Sequence, residues 1–510
     1  VKPPAPVPAR AGIAGQLAAL VSLRWTMARS VRTRRLLVAG TAAAVALLVL
    51  AGYAGTRLPH DKSFAIALLT PTAYLAFALL SFVAPAFAGG GAELFPADEL
   101  LAQPVRPGTR FLASVVTAPL NLAWFVQLLV LTAATVYVTS PGSGRFLAIV
   151  TLAVYVLFAT VLGQALAWGA LGVWQARYGR AGVFAALLAA TAALVVFRPH
   201  HFAHLLDRSP TLRVVAAEVA AGDGGYAHWA RVTGVLAVAT VLSAVVGTRW
   251  CAWTARRPDH RANAATDRAV RRRQLPSSAT AALAAVDRAS VWRSRSLRRG
   301  LVVTVVVSVA VTALTHPSYA AQALLPGPMA SSAGLLYGIN AFCLDGSGAV
   351  WLASMPVRPA TLFTAKTRVV AELCALPVVG ALVAAALTTS RAPTLAQGLA
   401  VCLSAVVCTT WVVAVCMRAS VTSPQRAELR GARDTPAPPA TMVKHSVRLA
   451  TSTTLLGMVF STEGRLASPL PVALCGIGLL LLAVRSIVST SRMWADDRRR
   501  STVVLTVAAG

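Results

Sequence analysis

The sequence predicts an all-α polytopic membrane protein of about 12 transmembrane helices arranged as two six-span repeats. Three observations carry that expectation. Hydrophobic residues make up 56% of the 510 residues and charged ones only 13%, which leaves too little polar surface for a water-soluble globule. Apolar runs of the length a bilayer requires, about 20 residues for a hydrocarbon core of about 30 Å, recur along the chain. A ten-residue motif also returns at an offset of 252, close to half the chain length.

Residues 1–35 form a Pro-rich lead, Val-Lys-Pro-Pro-Ala-Pro-Val-Pro, and an interfacial helix. In that helix Ile13, Leu17, Leu20, Val21, Trp25 and Ala28 share one face, as expected of a helix lying in the membrane surface. The first unit, 36–253, has predicted spans over 36–56, 64–90, 111–138, 146–173, 181–197 and 229–250. A linker over 254–299 carries twelve Arg from Arg256 to Arg299 against Asp259, Asp267 and Asp287, and reads as a cytoplasmic connector drawn to anionic lipid. The second unit, 300–489, has spans over 300–316, 320–343, 369–388, 395–417, 447–461 and 470–489, and 490–510 form a cytoplasmic tail. The fifth and eleventh spans are short, and Thr451 to Thr454 dilute the eleventh. Continuous runs in place of ten-residue alternations favour helices over a barrel.

A net charge of +30 raises the question of nucleic acid. The placement of the cations answers it. With the N-terminus inside, the inner segments hold 38 of the 47 Lys and Arg, and the outer ones hold Arg57, Lys62, Arg145, Arg198, Arg208, Arg213, Arg231, Arg391 and Arg465. This is the positive-inside bias, and it sets both termini in the cytoplasm of a bacterial inner-membrane protein. The arginines border spans and lack interleaved aromatic platforms, so no nucleic-acid partner is expected.

No cleavable signal peptide is evident. The seven cysteines lie within or at the ends of spans, with no Cys-x-x-Cys pair, and read as small buried residues. His200, His201 and His204 have a spacing that suits zinc, but an external polar loop at the interface explains them as well, and no metal is assigned.

The repeat is the most specific feature. Pro104-Val105-Arg106-Pro107-Gly108-Thr109-Arg110-Phe111-Leu112-Ala113 matches Pro356-Val357-Arg358-Pro359-Ala360-Thr361-Leu362-Phe363-Thr364-Ala365 at seven of ten positions. At the same offset Leu100 falls on Leu352 and Glu93 on Asp345. A shorter echo, Arg29-Ser30-Val31-Arg32 and Arg295-Ser296-Leu297-Arg298, follows Trp25 and Trp292. Both long copies occupy the cytoplasmic link between the second and third span of their half. In the second, Asp345-Gly346-Ser347-Gly348 makes a turn, Ala349 to Met355 supply two helical turns, and Pro356 and Pro359 stop them. Acid before the turn and Arg358 after it suit the helix dipole. Val350, Trp351 and Leu352 give a compact apolar surface towards the cytosol. The first copy offers Glu93, Asp98, Glu99, Leu100 and Leu101 before Pro104. A short stiff helix between two spans is a docking element, because force on it moves both spans.

These features resemble permeases of the ATP-binding-cassette type-2 exporter family, here with two fused six-span copies. The resemblance implies an interfacial helix before the first span, matched by 12–29, and an ATPase-contacting coupling helix, matched by 93–107 and 345–359. It also implies an external re-entrant segment between spans 5 and 6, matched by 198–228 with its semi-apolar run Leu212 to Val219. The ATPase-coupling residues so implied are Glu93, Asp98, Glu99, Leu100, Leu101, Pro104, Arg106 and Pro107, with Asp345, Gly346, Gly348, Trp351, Leu352, Pro356, Arg358 and Pro359. The chain departs from the family in its duplication and in the far shorter external segment of the second half, 462–469, so the halves need not do equal work.

No Gly-x-x-x-x-Gly-Lys-Ser/Thr occurs, and the only lysines are Lys2, Lys62, Lys366 and Lys444. Nucleotide therefore has no phosphate loop here. ATP and Mg would act through separate ABC ATPase subunits, two per chain, with no cofactor or catalytic residue in this one. The alternative is a 12-span, major-facilitator-like secondary carrier driven by an ion gradient. Such carriers need buried intramembrane acids, and only Glu372 lies inside a predicted span, one turn from Arg368. Phe77, Phe82, Phe87, Tyr337 and Phe342 would suit an amphiphilic, lipid-like or drug-like cargo, although helix packing accounts for them equally.

Overall fold

The computed structural model describes residues 12, 14–19, 22, 42, 45–56, 63–87, 105–120, 122–139, 142–175, 210–256, 276–315, 317–389, 392–425, 437, 439–464 and 468–508. Every regular element among them is helical. They fall into two units, one ending at residue 256 and the other beginning at 276.

The first unit contains α1 (Ser63–Phe87), α2 (Pro107–Thr117), α3 (Leu122–Val138), α4 (Ser143–Gln175), α5 (Pro210–Gly222) and α6 (Tyr226–Ala255). The predicted third span is α2 and α3, separated by a 3-10 turn over Ala118–Leu120. Pro119 sits in that turn, and its missing N–H and bulky ring interrupt the α-helical ladder. α4 packs along α6 and against α1, and α5 lies among α1, α4 and α6. The approach of α5 to α4 is so close that a Cβ on Gly144 would lie 2.5 Å from the Gly222 Cα.

The second unit begins with α7 (Ala279–Arg293) and α8 (Arg295–Thr315). A single turn, Tyr319–Gln322, leads to α9 (Pro326–Ala333), which continues as a π-helical turn, Gly334–Gly338, and a 3-10 turn, Ala341–Asp345. Then follow α10 (Gly348–Ser354), α11 (Pro359–Thr388), α12 (Leu395–Thr422), α13 (Pro439–Glu463), α14 (Pro469–Ala495) and α15 (Asp497–Ala508). α12 packs along α14, α8 along α11, and α9 is enclosed by α11, α12 and α13.

Five helices, α4, α6, α11, α12 and α14, are long and apolar enough to cross a membrane. The number is seven if two bent pairs each count as one span: α7 with α8, bent by 85°, and Tyr319–Cys343 with α10, bent by 62°. The chain is a multi-pass helical membrane protein. The predicted fifth span lies outside the described residues, as does part of the first, which is helical over Val45–Thr56. α13 carries Lys444 and Arg448 and is not among the five.

Three segments add detail to the expectation or differ from it. The predicted eighth span is not one helix: Pro326 and Pro328 restart it and its second half unwinds. Its freed backbone groups are met by α12, where Ser404 donates to the Ala323 carbonyl at 2.6 Å and Ser420 donates to that of Gly338 at 2.7 Å. Ser420 also accepts from the Ala341 N–H at 2.9 Å, so apolar surroundings cost the break little. Secondly, the linker over 254–299 is more than a connector, since 279–293 form α7, capped by Ser278 and seated on α11. Finally, the last span runs on to Ala495, and the presumed tail continues as the helix α15.

Candidate functional site

The two copies of the repeated motif start their third spans in the same way. Arg106 and Arg358 are extended N-cap residues, at φ −65°, ψ 143° and φ −58°, ψ 133°. Pro107 and Pro359 occupy the first helical position, where a missing N–H costs nothing. In the first unit the buried Gln16 side chain accepts from the Arg106 N–H at 3.2 Å and from the Thr109 hydroxyl at 2.9 Å. The helical segment around Gln16 is thereby tied to the start of α2. Glu93, Asp98, Glu99, Leu100, Leu101 and Pro104 lie outside the described residues.

The second elbow is fully described. α10 fills 348–354, close to the predicted two turns, and Pro356 follows it on the surface. Gly346 turns the chain into it at φ +49°, ψ −134°, a backbone conformation that only glycine adopts without strain. Trp351 is 71% exposed, Val350 and Met355 are exposed beside it, and Arg358 is exposed as well.

Leu352 differs from its expected place. It is half-buried, because α15 packs on α10 and buries Val503 and Val507 there. Leu352, Leu283, Met355, Val357, Leu362 and Arg500 line a cleft of about 230 Å³ between α7, α10, α11 and α15. The back of the elbow thus belongs to the chain's own C-terminal helix, and its front is open.

Asp345 lies on the preceding 3-10 turn and accepts from the Lys366 ammonium of α11 at 2.8 Å. The same ammonium donates to Asp287 of α7 at 2.9 Å. The Lys366 side chain is only 2% exposed. One residue further on, Arg288 makes a two-pronged pair with Glu372, at 2.6 Å for each contact, and Arg368 joins at 3.1 Å. α7, the 3-10 turn before α10, and α11 are therefore tied together through two adjacent ionic clusters. Glu372, 38% exposed and held by two arginines, belongs to this structural set and is not an isolated intramembrane acid.

The aromatic candidates for a cargo path sit in packed surroundings. Phe77 is buried with its ring 5.7 Å from that of Trp124, and Phe82 is half-buried. Phe87 ends α1. Tyr337 is buried and donates to the Leu297 carbonyl. Phe342 stacks on Trp494 at 4.2 Å, and the Trp494 indole donates to the Pro359 carbonyl at 3.0 Å.

Two residues escaped the sequence reading. Lys366 is the first position past the ten-residue motif, aligned with Ser114, and a lysine there breaks the likeness of the halves. Glu218 falls within the segment expected to be external and re-entrant, and it lies in the middle of the buried face of α5, formed by Thr211, Val214, Val215, Ala217, Glu218 and Ala221. Helical spacing of small apolar residues around a single acid was the available signal. The Glu218 side chain accepts from the Tyr74 hydroxyl at 2.6 Å.

Among the described residues no group of three or more His, Cys, Asp or Glu is placed to hold a metal ion. The histidines at 200, 201 and 204 lie outside them. No protein-family model, curated protein or solved structure matches the chain.

Proposed function

We propose that this chain is the membrane permease of an ATP-driven exporter of the ABC type-2 kind, with both permease halves fused and the ATPase on separate polypeptides. The observation that carries this reading is the second elbow. A seven-residue helix presents an exposed Trp351 at its front, while its root is fixed by a buried Lys366 to the helices before and after it. Such a part transmits displacement, since a push on α10 reaches α7 and α11 through ion pairs that are costly to separate when dry. ATP and Mg act in the partner. The cargo is an amphiphilic, lipid-like or drug-like molecule, the membrane is the bacterial inner membrane, and both termini face the cytoplasm.

The test is co-purification of the cognate ATPase with Val350→Ala/Trp351→Ala protein. Loss of an apolar contact fully covered in the complex costs roughly 1 to 3 kcal/mol per side chain, which weakens docking by about fivefold to more than a hundredfold. Unchanged ATPase binding with unchanged transport argues against an elbow that couples.

One observation favours the secondary carrier. Glu218 is a buried acid with no cation in ion-pairing distance among the described residues, the type of group that gradient-driven carriers use. Substrate movement by the isolated chain in liposomes under a proton gradient, abolished by Glu218→Gln, would transfer the assignment to that class.

A further inference from the structure

The surroundings of Glu218 consist of hydroxyl groups. Tyr74 of α1 donates its only hydroxyl proton to the Glu218 carboxyl at 2.6 Å. The Thr135 hydroxyl of α3, 2.8 Å from the Tyr74 oxygen, must then be the donor in that second contact. Tyr155 of α4 fixes the backbone of the same turn by donating to the Tyr74 carbonyl at 2.6 Å, and the two tyrosine rings lie 4.7 Å apart. Donors thus run Thr135 to Tyr74 to Glu218 in one direction, each bond polarising the next.

A side chain 1% exposed with one hydroxyl donor is a poor seat for a negative charge. The charged groups on the neighbouring elements do not relieve it. Arg213 shares α5, Arg145 lies on α4, and His228, Arg231 and Arg249 lie on α6, but none forms an ion pair with Glu218. On α1 Tyr74 faces it, and Thr135 of α3 reaches it only through the Tyr74 hydroxyl. Burial lifts its carboxyl from the ordinary 4.5 to about 8, and the Tyr74 hydrogen bond pulls it slightly down.

We propose that Glu218 is a proton-binding site that latches α5: the neutral carboxyl lets the helix seat among α1, α4 and α6, and loss of the proton releases it. The step is a simple ionisation. The carboxyl O–H bond breaks, the electron pair stays on oxygen, and the proton passes to water. The carboxylate left behind regains hydration only if α5 lifts from its seat. The second unit has no room for an equivalent, since α13 and α14 are joined by 464–468 alone. The latch is independent of what drives transport.

Linkage gives the sign. The folded carboxyl holds its proton to higher pH than a solvated one, so seating is strongest below the ordinary 4.5 and is lost as pH rises through about 8. The test uses the full chain in nanodiscs, with no ATPase and no cargo. Hydrogen exchange of the 210–222 segment, corrected for the intrinsic pH effect, is measured across that range beside infrared difference spectra of protonated carboxyls. Protection of the segment is expected to fall about tenfold or more over the three units centred on the midpoint, with loss of a carboxyl band. Glu218→Gln should remove that band and stay protected throughout. Tyr74→Phe should move the midpoint upward, because the phenol favours the carboxylate. If the Gln variant does not accumulate, the Tyr74→Phe midpoint decides. A flat wild-type profile, a Gln variant with wild-type pH dependence, or an unmoved Tyr74→Phe midpoint overturns the proposal.

Discussion

A lysine ammonium only 2% exposed survives burial because two carboxylates share it, Asp287 at 2.9 Å and Asp345 at 2.8 Å. Removing the cation leaves both acids in a dry site, which is worse than never having buried the set. Lys366→Met should therefore destabilise the second unit by about 3 to 5 kcal/mol, read as a lower unfolding temperature in detergent. Glu372→Gln, at a pair more than a third exposed, should lower it far less. Equal losses in the two variants would show that Lys366 carries no special load. The role of Lys366 was not legible in the sequence, and that of Glu372 only in part. Arg368 and Glu372 announced their pairing by spacing, but the partners Asp287 and Arg288 lie about 80 residues away, and only tertiary structure brings them together.

At the scale of elements, the spans were legible wherever a long apolar run folds as one continuous helix, as in α4, α6, α11, α12 and α14, and Pro377 inside α11 does not break it. The eighth differs from the expectation because hydropathy is blind to hydrogen bonding: its residues are mostly apolar, yet Ser404 and Ser420 of α12 meet backbone groups where the α-helical ladder is interrupted. Ser420→Ala should leave the Gly338 carbonyl and the Ala341 N–H without that partner, at a cost of about 1 to 3 kcal/mol for each buried group. The check is a lower unfolding midpoint together with faster hydrogen exchange over 334–345. α15 was missed for a different reason, since its polar arginine-rich start hides a stripe of Val503 and Val507 that gains meaning only against α10. Val503→Asp with Val507→Asp should detach it, raising exchange over 348–354 while leaving α12 unchanged; exchange there equal to wild type would mean that α15 does not brace the elbow.

For the whole molecule, composition and charge told most. The 38 to 9 distribution of basic residues predicts that position 280, beside the start of α7, faces the cytoplasm. Reporter fusions or cysteine labelling there should find it inside, and an external position would remove the elbow from reach of any cytosolic ATPase. The repeat pointed to two related halves, and the far shorter segment 462–469 of the second already pointed to a difference between them. The described part of the first carries the buried acid on α5; the second carries the ionic root of a short helix with an exposed Trp351. The measurement that bears most directly on the permease reading is photo-crosslinking from position 351 in native membranes. The adduct is expected to be a protein with a Gly-x-x-x-x-Gly-Lys-Ser/Thr phosphate loop, formed less when Val350 is also replaced by Asp. Adducts with lipid alone, in membranes that still transport, would contradict the account.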